Sequence, residues 1–182
     1  MFFPKTFGLA AAFATLASAL PSGTVVARNN SVPAGSSVLI TNNLNMDVYA
    51  WSVSENVGPM QTLPANGGTY SETWRTNPNG GGISIKLATD PSQSDVLQFE
   101  YTQSGETIFW DLSCINMESD SEFTKYGFAV LPTDSGSNTQ SCPTAVCHAG
   151  DKNCAAAYLQ PTDDRATHGC PIDTGLALTI GQ

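Results

Sequence analysis

From Ser36 onward apolar and polar side chains alternate with a period of two, the pattern of a strand with one covered face and not of a helix. Tyr49, Trp51 and Val53 share one face of such a segment. Ile83, Ile85 and Leu87 alternate with Ser84 and Lys86, and Leu97, Phe99 and Tyr101 with Gln98 and Glu100. Ile108, Trp110 and Leu112 alternate with Phe109, Asp111 and Ser113. Turn-forming residues separate these runs at Asn42-Asn43, at 64–68, at 77–82, at Asp90-Pro91 and at Ser104-Gly105, which is the spacing of an antiparallel sandwich. Further strands are expected at 38–41, 69–74, 128–131 and 176–180, and no stretch carries the pattern of a long amphipathic helix.

The ends of the chain read differently. Residues 1–19 have the layout of a secretory signal: Lys5 supplies the positive charge, 7–16 are mostly apolar, and Ala17-Ser18-Ala19 is a small-residue cleavage site. That apolar run is shorter than the roughly 20 residues needed to cross a bilayer, so a secreted product without a membrane anchor is expected. Residues 20–35 form an aperiodic arm holding Pro, Gly and Ser. Within it Asn29-Asn30-Ser31 is an acceptor sequence for glycosylation at Asn29. The expected domain occupies residues 36–182.

Removing the signal takes away one of the seven basic residues and none of the sixteen acidic ones, so the exported chain is more acidic than the formal −9 of the whole sequence. Its remaining Lys and Arg are scattered, which argues against nucleic acid as a partner. Neutral polysaccharides or cationic molecules fit better, although an acidic surface also serves solubility alone. Five cysteines, at 114, 142, 147, 154 and 170, imply bridges plus one leftover thiol in an oxidising compartment. Four of them fall after the polar loop at 133–141, where Ala155 to Leu159 suggest a short helical turn inside a cysteine-pinned excursion before the last strand.

Several motifs carry a further resemblance. Ile40-Thr-Asn-Asn43 is followed by Val48-Tyr-Ala-Trp51, and Glu100-Tyr-Thr102 by Phe109-Trp-Asp-Leu-Ser113. The tail has Ala157-Tyr158 with Pro161, Asp163 and Asp164, then Cys170-Pro171 and an alternating final strand. Across most of residues 38–182 this resembles the thaumatin-like proteins, and in particular the small fungal secreted branch described as yeast-phase-specific or antigenic. The resemblance implies an all-β thaumatin-like antiparallel sandwich with the bridges Cys142–Cys170 and Cys147–Cys154, leaving Cys114 as a free, buried and inert thiol. It departs from the plant members in having far fewer cysteines, so the loop-rich second region is reduced.

The resemblance also implies an acidic cleft associated with binding or weak hydrolysis of β-glucan, formed by Glu100, Asp111 and one of Asp163 and Asp164. Asn116 replaces a further cleft aspartate, and Lys86 or Arg75 is the candidate cation. Glycoside hydrolysis needs a carboxylic acid of raised pKa and a second carboxylate at a defined separation, whereas polar outward positions of an ordinary sheet would look the same in sequence. Ligand binding without turnover lies between these readings.

Other chemistry is less well supported. His148 beside Cys147, and His168 near Cys170, stand among cysteines that an oxidising compartment joins in bridges, so neither a metal nor another cofactor is expected. No Gly-x-Ser-x-Gly elbow accompanies either histidine, and Glu118, Asp120 and Glu122 lack the spacing of a calcium loop and read as a solvated acidic turn. Trp51, Trp74, Trp110 and Tyr158 are candidates for stacking on sugar unless the core buries them. The expected function is a secreted, non-enzymatic, monomeric factor acting at a cell surface by binding wall β-glucan or a host component. The alternative is a weak β-1,3-glucan hydrolase or antifungal protein.

Overall fold

A computed structural model describes residues 35–133 and 142–182. The expected signal segment, nearly all of the N-terminal arm with Asn29, and most of the polar loop before Cys142 lie outside the described residues.

Eleven strands and one short helix make up the described chain. In order they are β1 (Ser37–Asn42), β2 (Val48–Val53), β3 (Gln61–Leu63), β4 (Gly68–Thr73), β5 (Ile83–Ala88), β6 (Val96–Ser104), β7 (Thr107–Asn116), α1 (Glu122–Tyr126), β8 (Phe128–Pro132), β9 (Ala145–Cys147), β10 (His168–Pro171) and β11 (Leu176–Ile180). They form a five-stranded sheet in the order β4-β1-β11-β8-β9 and a six-stranded sheet in the order β10-β7-β6-β5-β2-β3. Every pairing is antiparallel except that of β1 with β11, where the first and last strands run parallel with Val38 opposite Leu176 and Asn42 opposite Ile180.

The period-two pattern explains the sandwich. Val38 and Ile40 of β1, Leu176, Leu178 and Ile180 of β11 and Val130 of β8 meet Ile83, Ile85, Leu87, Leu97, Phe99, Ile108, Trp110 and Leu112 of the other sheet in one buried cluster. Aromatic rings run along the inner face of the six-stranded sheet: Trp74 stacks on Phe99 with centroids 6.4 Å apart, Phe99 on Trp110 at 6.1 Å, and His168 tilts against Trp110 at 4.5 Å. Each such large side chain taken from water is worth ~2–3 kcal/mol. The face shared by Tyr49, Trp51 and Val53 is the outer one, where they form a separate small cluster with Ala88 and Val96.

Buried Asn42 holds the β1–β2 turn. Its side-chain amide donates to the carbonyls of Met46, Leu63 and Pro64, and its Oδ1 accepts from the Leu44 N–H. Helix α1 starts at Ser121, whose Oγ accepts from the Phe123 N–H, and stops at Gly127. There φ is +75°, and a Cβ would stand 2.8 Å from the Cys147 carbonyl oxygen. The acidic segment read as a solvated turn therefore includes a helix start, because its Phe123 is wholly buried.

The helical turn expected over residues 155–159 does not form. There the chain runs beside β7 instead, with the Tyr158 N–H bonded to the Leu112 carbonyl and the Cys114 N–H to the Tyr158 carbonyl. Backbone pairing with the edge of β7 beyond its last β10 partner, Trp110, overrides the helix preference of three alanines. A 3-10 turn lies further on, at Asp164–Ala166.

Candidate functional site

Strands β5, β6 and β7 place every second side chain on the outer face of the six-stranded sheet, and cross-strand register decides which of them meet. Ser84 of β5 lies opposite Glu100 of β6, and Glu100 lies opposite Asp111 of β7. One step along, Lys86 faces Gln98; one step the other way, Thr102 faces Phe109. Together with Ser54, Gly82 and Thr167 these residues line a solvent-open groove of about 510 Å³.

Two carboxylates directly opposite each other destabilise a sheet unless something offsets them. Burial raises the pKa of Glu100, while the Ser84 hydroxyl and the Lys86 ammonium pull it back. Asp111 has no such relief: burial and the neighbouring Glu100 push its carboxyl up to about 7, and its Oδ1 is buried without a hydrogen-bond partner among the described residues. Beside the pair Gln98 is tied down, accepting from Ser84 Oγ at 3.3 Å and donating to Ser113 Oγ at 3.3 Å and to Asn116 Oδ1 at 3.1 Å. Asn116 thus supports the floor and contributes no charge.

The structure brings Glu100 and Asp111 together but not Asp163. Asp163 is buried in the loop before β10, where it accepts from the backbone N–H groups of Leu159 and Gln160 and from Arg165. The Leu159 backbone bond is the largest of the effects that lower its pKa. Its carboxylate is consumed in shaping the loop. Asp164 stands at the rim: the Tyr158 hydroxyl reaches it at 3.4 Å and is 2.5 Å from the hydroxyl of Thr167, a groove residue.

Of the two candidate cations Lys86 lines the groove. Arg75 lies in a different one with Ser52, Gln61, Tyr70 and Glu72, where Glu72 accepts from both Tyr70 and Tyr101 and pairs with Arg75 at 3.4 Å.

The stacking candidates are redistributed. Trp51, Trp74 and Trp110 are buried, and the Tyr158 hydroxyl is taken up at the rim. The exposed aromatic of the groove is Phe109, 44% accessible, whose ring lies over Gly169 of β10 at 3.4 Å from the Cβ position that glycine lacks. The signal was an aromatic at a position where the alternation calls for a polar residue. Thr102 and Thr167 had no such signal.

The structure pairs Cys142 with Cys170 and Cys147 with Cys154. The first bridge joins β10 to the segment leading into β9, so it ties together one edge of each sheet beside the groove. Cys114 is free, and burial, helped by the charge of Asp95, pushes its thiol up to about 12, too high for a thiolate nucleophile.

The family model for Bys1, the Blastomyces yeast-phase-specific protein, matches residues 25–182. The chain belongs to the Bys1 family. Among its relatives, the secreted thaumatin-like protein calA of Emericella nidulans is 46% identical over 181 residues, spanning 100% of this chain and 98% of that protein. The antigenic thaumatin-like protein of Arthroderma benhamiae is 45% identical over 141 residues, spanning 78% of this chain and 68% of that protein. The fold is shared with the crystal structure of the protein elicitor MoHrip2 from Magnaporthe oryzae, with a TM-score of 0.62 at 24% identity over 81% of this chain and 99% of that one. This Bys1 chain is accordingly a secreted protein with a thaumatin-like sandwich.

Proposed function

We propose that this chain is a non-enzymatic secreted factor that binds a wall β-glucan chain along the groove on the outer face of its six-stranded sheet. The observation that carries the reading is the exposed Phe109 ring next in line to the Glu100–Asp111 pair on one open face. A flat apolar ring suits the C–H face of a pyranose, and the carboxylates, Lys86, Thr102 and Thr167 offer acceptors and donors to its hydroxyls. A relative described as an antigenic thaumatin-like protein supports a setting in contact with a host.

Purified protein is expected to co-sediment with insoluble β-1,3-glucan, and Phe109→Ala to weaken that binding ~10-fold, a loss of about 1.4 kcal/mol. Absence of co-sedimentation would sink the glucan reading and leave a host component as the partner. Hydrolysis has one observation in its favour, the Asp111 carboxyl held near 7 beside a second carboxylate, as an acid catalyst requires. Release of reducing sugar that Glu100→Gln abolishes would replace the binding reading with the enzymatic one.

A further inference from the structure

The cross-strand pair at the centre of the groove is an electrostatic problem whose solution has a functional consequence. Glu100 and Asp111 are register partners on adjacent strands, and each is more than half withdrawn from water by the groove. Glu100 has compensation on its β5 side, from Ser84 and Lys86. Asp111 has none: its buried Oδ1 meets no donor among the described residues. An ionised carboxylate oxygen buried in that way loses its hydration without a replacement. A carboxylic acid at the same place offers an O–H to an acceptor, and the acceptor one strand away is Glu100.

We infer that Glu100 and Asp111 share one proton in the ligand-free groove, and that losing it switches the groove from a surface that both donates to and accepts from sugar hydroxyls to a doubly anionic one that releases them. The inference rests on the glucan-binding reading for its ligand, whereas the shared proton rests on the cross-strand register of the pair and on the buried, unpartnered Asp111 Oδ1.

The groups around Asp111 support it. Across β6 it meets Glu100, with Lys86 beyond on β5. From the loop before β10, Thr167 is uncharged, Asp164 is held at the rim through Tyr158, and Asp163 is paired with Arg165. His168 on β10 packs against Trp110 on the inner side, and burial lowers its pKa, which favours the uncharged ring. No cation stands on the Asp111 side of the pair among these neighbours. Two carboxylates in one site titrate as a unit, the second proton leaving at a much higher pH than the first. Here that second step falls near neutrality, since Asp111 is pushed up to about 7.

The test has two arms on the secreted full-length protein. In the first, the side-chain carboxyl carbons of wild type, Glu100→Gln and Asp111→Asn are followed by NMR from about pH 3 to pH 9. In wild type the Asp111 and Glu100 signals should move together in a step near neutrality, and Glu100→Gln should bring the Asp111 step down toward the ordinary range. If both carboxyls finish titrating below about pH 5, the proposal is overturned.

In the second arm, binding of a soluble β-1,3-gluco-oligosaccharide is measured by calorimetry at about pH 5.5 and pH 8.5. Wild-type affinity should fall ~10-fold or more with rising pH. Asp111→Asn, which keeps the shape and a donor N–H, should bind with little pH dependence, and the exposed Asp120→Asn should retain the wild-type slope. A pH-independent wild type would overturn the switch. No binding at either pH would sink the glucan reading, and the NMR arm would still decide the shared proton.

Discussion

Asn42 shows how one polar residue can organise a turn from a position with no solvent exposure. Its side chain satisfies three carbonyls and one backbone N–H, so Asn42→Ala strands several buried polar groups at once. The expected cost is ~2–4 kcal/mol, read as a lowered urea midpoint at unchanged slope. Asp111 makes a prediction of the opposite kind. Its carboxyl rises from 3.8 to about 7 on folding, so the folded chain retains a proton that the unfolded chain releases. The stability this contributes is complete below ~pH 4 and is lost as pH rises through about 7. Asp111→Asn should therefore raise the melting temperature relative to wild type at pH 8 and change it little or lower it at pH 4. A melting difference with no pH dependence would contradict the raised value. Asp163 has the reverse sign: its lowered pKa contributes stability above the ordinary carboxylate value and loses it as pH falls. The alternation of β6 and β7 already pointed Glu100 and Asp111 outward. Their direct opposition depended on register, which the spacing of apolar residues constrains only to every second position.

Among the elements, β10 is the one on which the groove depends without contributing a charge. It packs Gly169 beneath Phe109, is preceded by Thr167, and is held to the other sheet by Cys142–Cys170. That bridge closes a separation of 28 residues against 7 for Cys147–Cys154, which corresponds to about 3–4 against 2–3 kcal/mol of chain entropy. Replacing Cys142 and Cys170 together by Ser should thus lower the melting temperature more than replacing Cys147 and Cys154, and should weaken glucan binding as well. Equal binding by both pairs of variants would show that the groove does not depend on the β10 anchor. Four residues with no apolar alternation gave no strand signal for β10. Only its pairing with β7, His168 opposite Trp110 and Pro171 opposite Thr107, makes it one.

For the molecule as a whole, one buried cluster draws on both sheets, and the parallel β1–β11 pairing joins the first described strand to the last. Neither sheet can keep its inner face covered without the other, so the two sheets should unfold in a single transition. Far-ultraviolet circular dichroism and tryptophan fluorescence should give coincident curves; separated ones would mean that the sheets melt independently. Local periodicity, turn residues and cysteine count were enough to determine an all-β sandwich, because strand alternation is written in neighbouring residues. The motif resemblance added the thaumatin-like type and its two bridges. Tertiary structure alone decided that Asp163 serves its loop and not the groove, that the tryptophans are buried while Phe109 is exposed, and that Lys86 and Arg75 belong to different grooves. Those outcomes depend on strand register and on which edge a distant segment covers, and both are set by contacts between residues far apart in the chain.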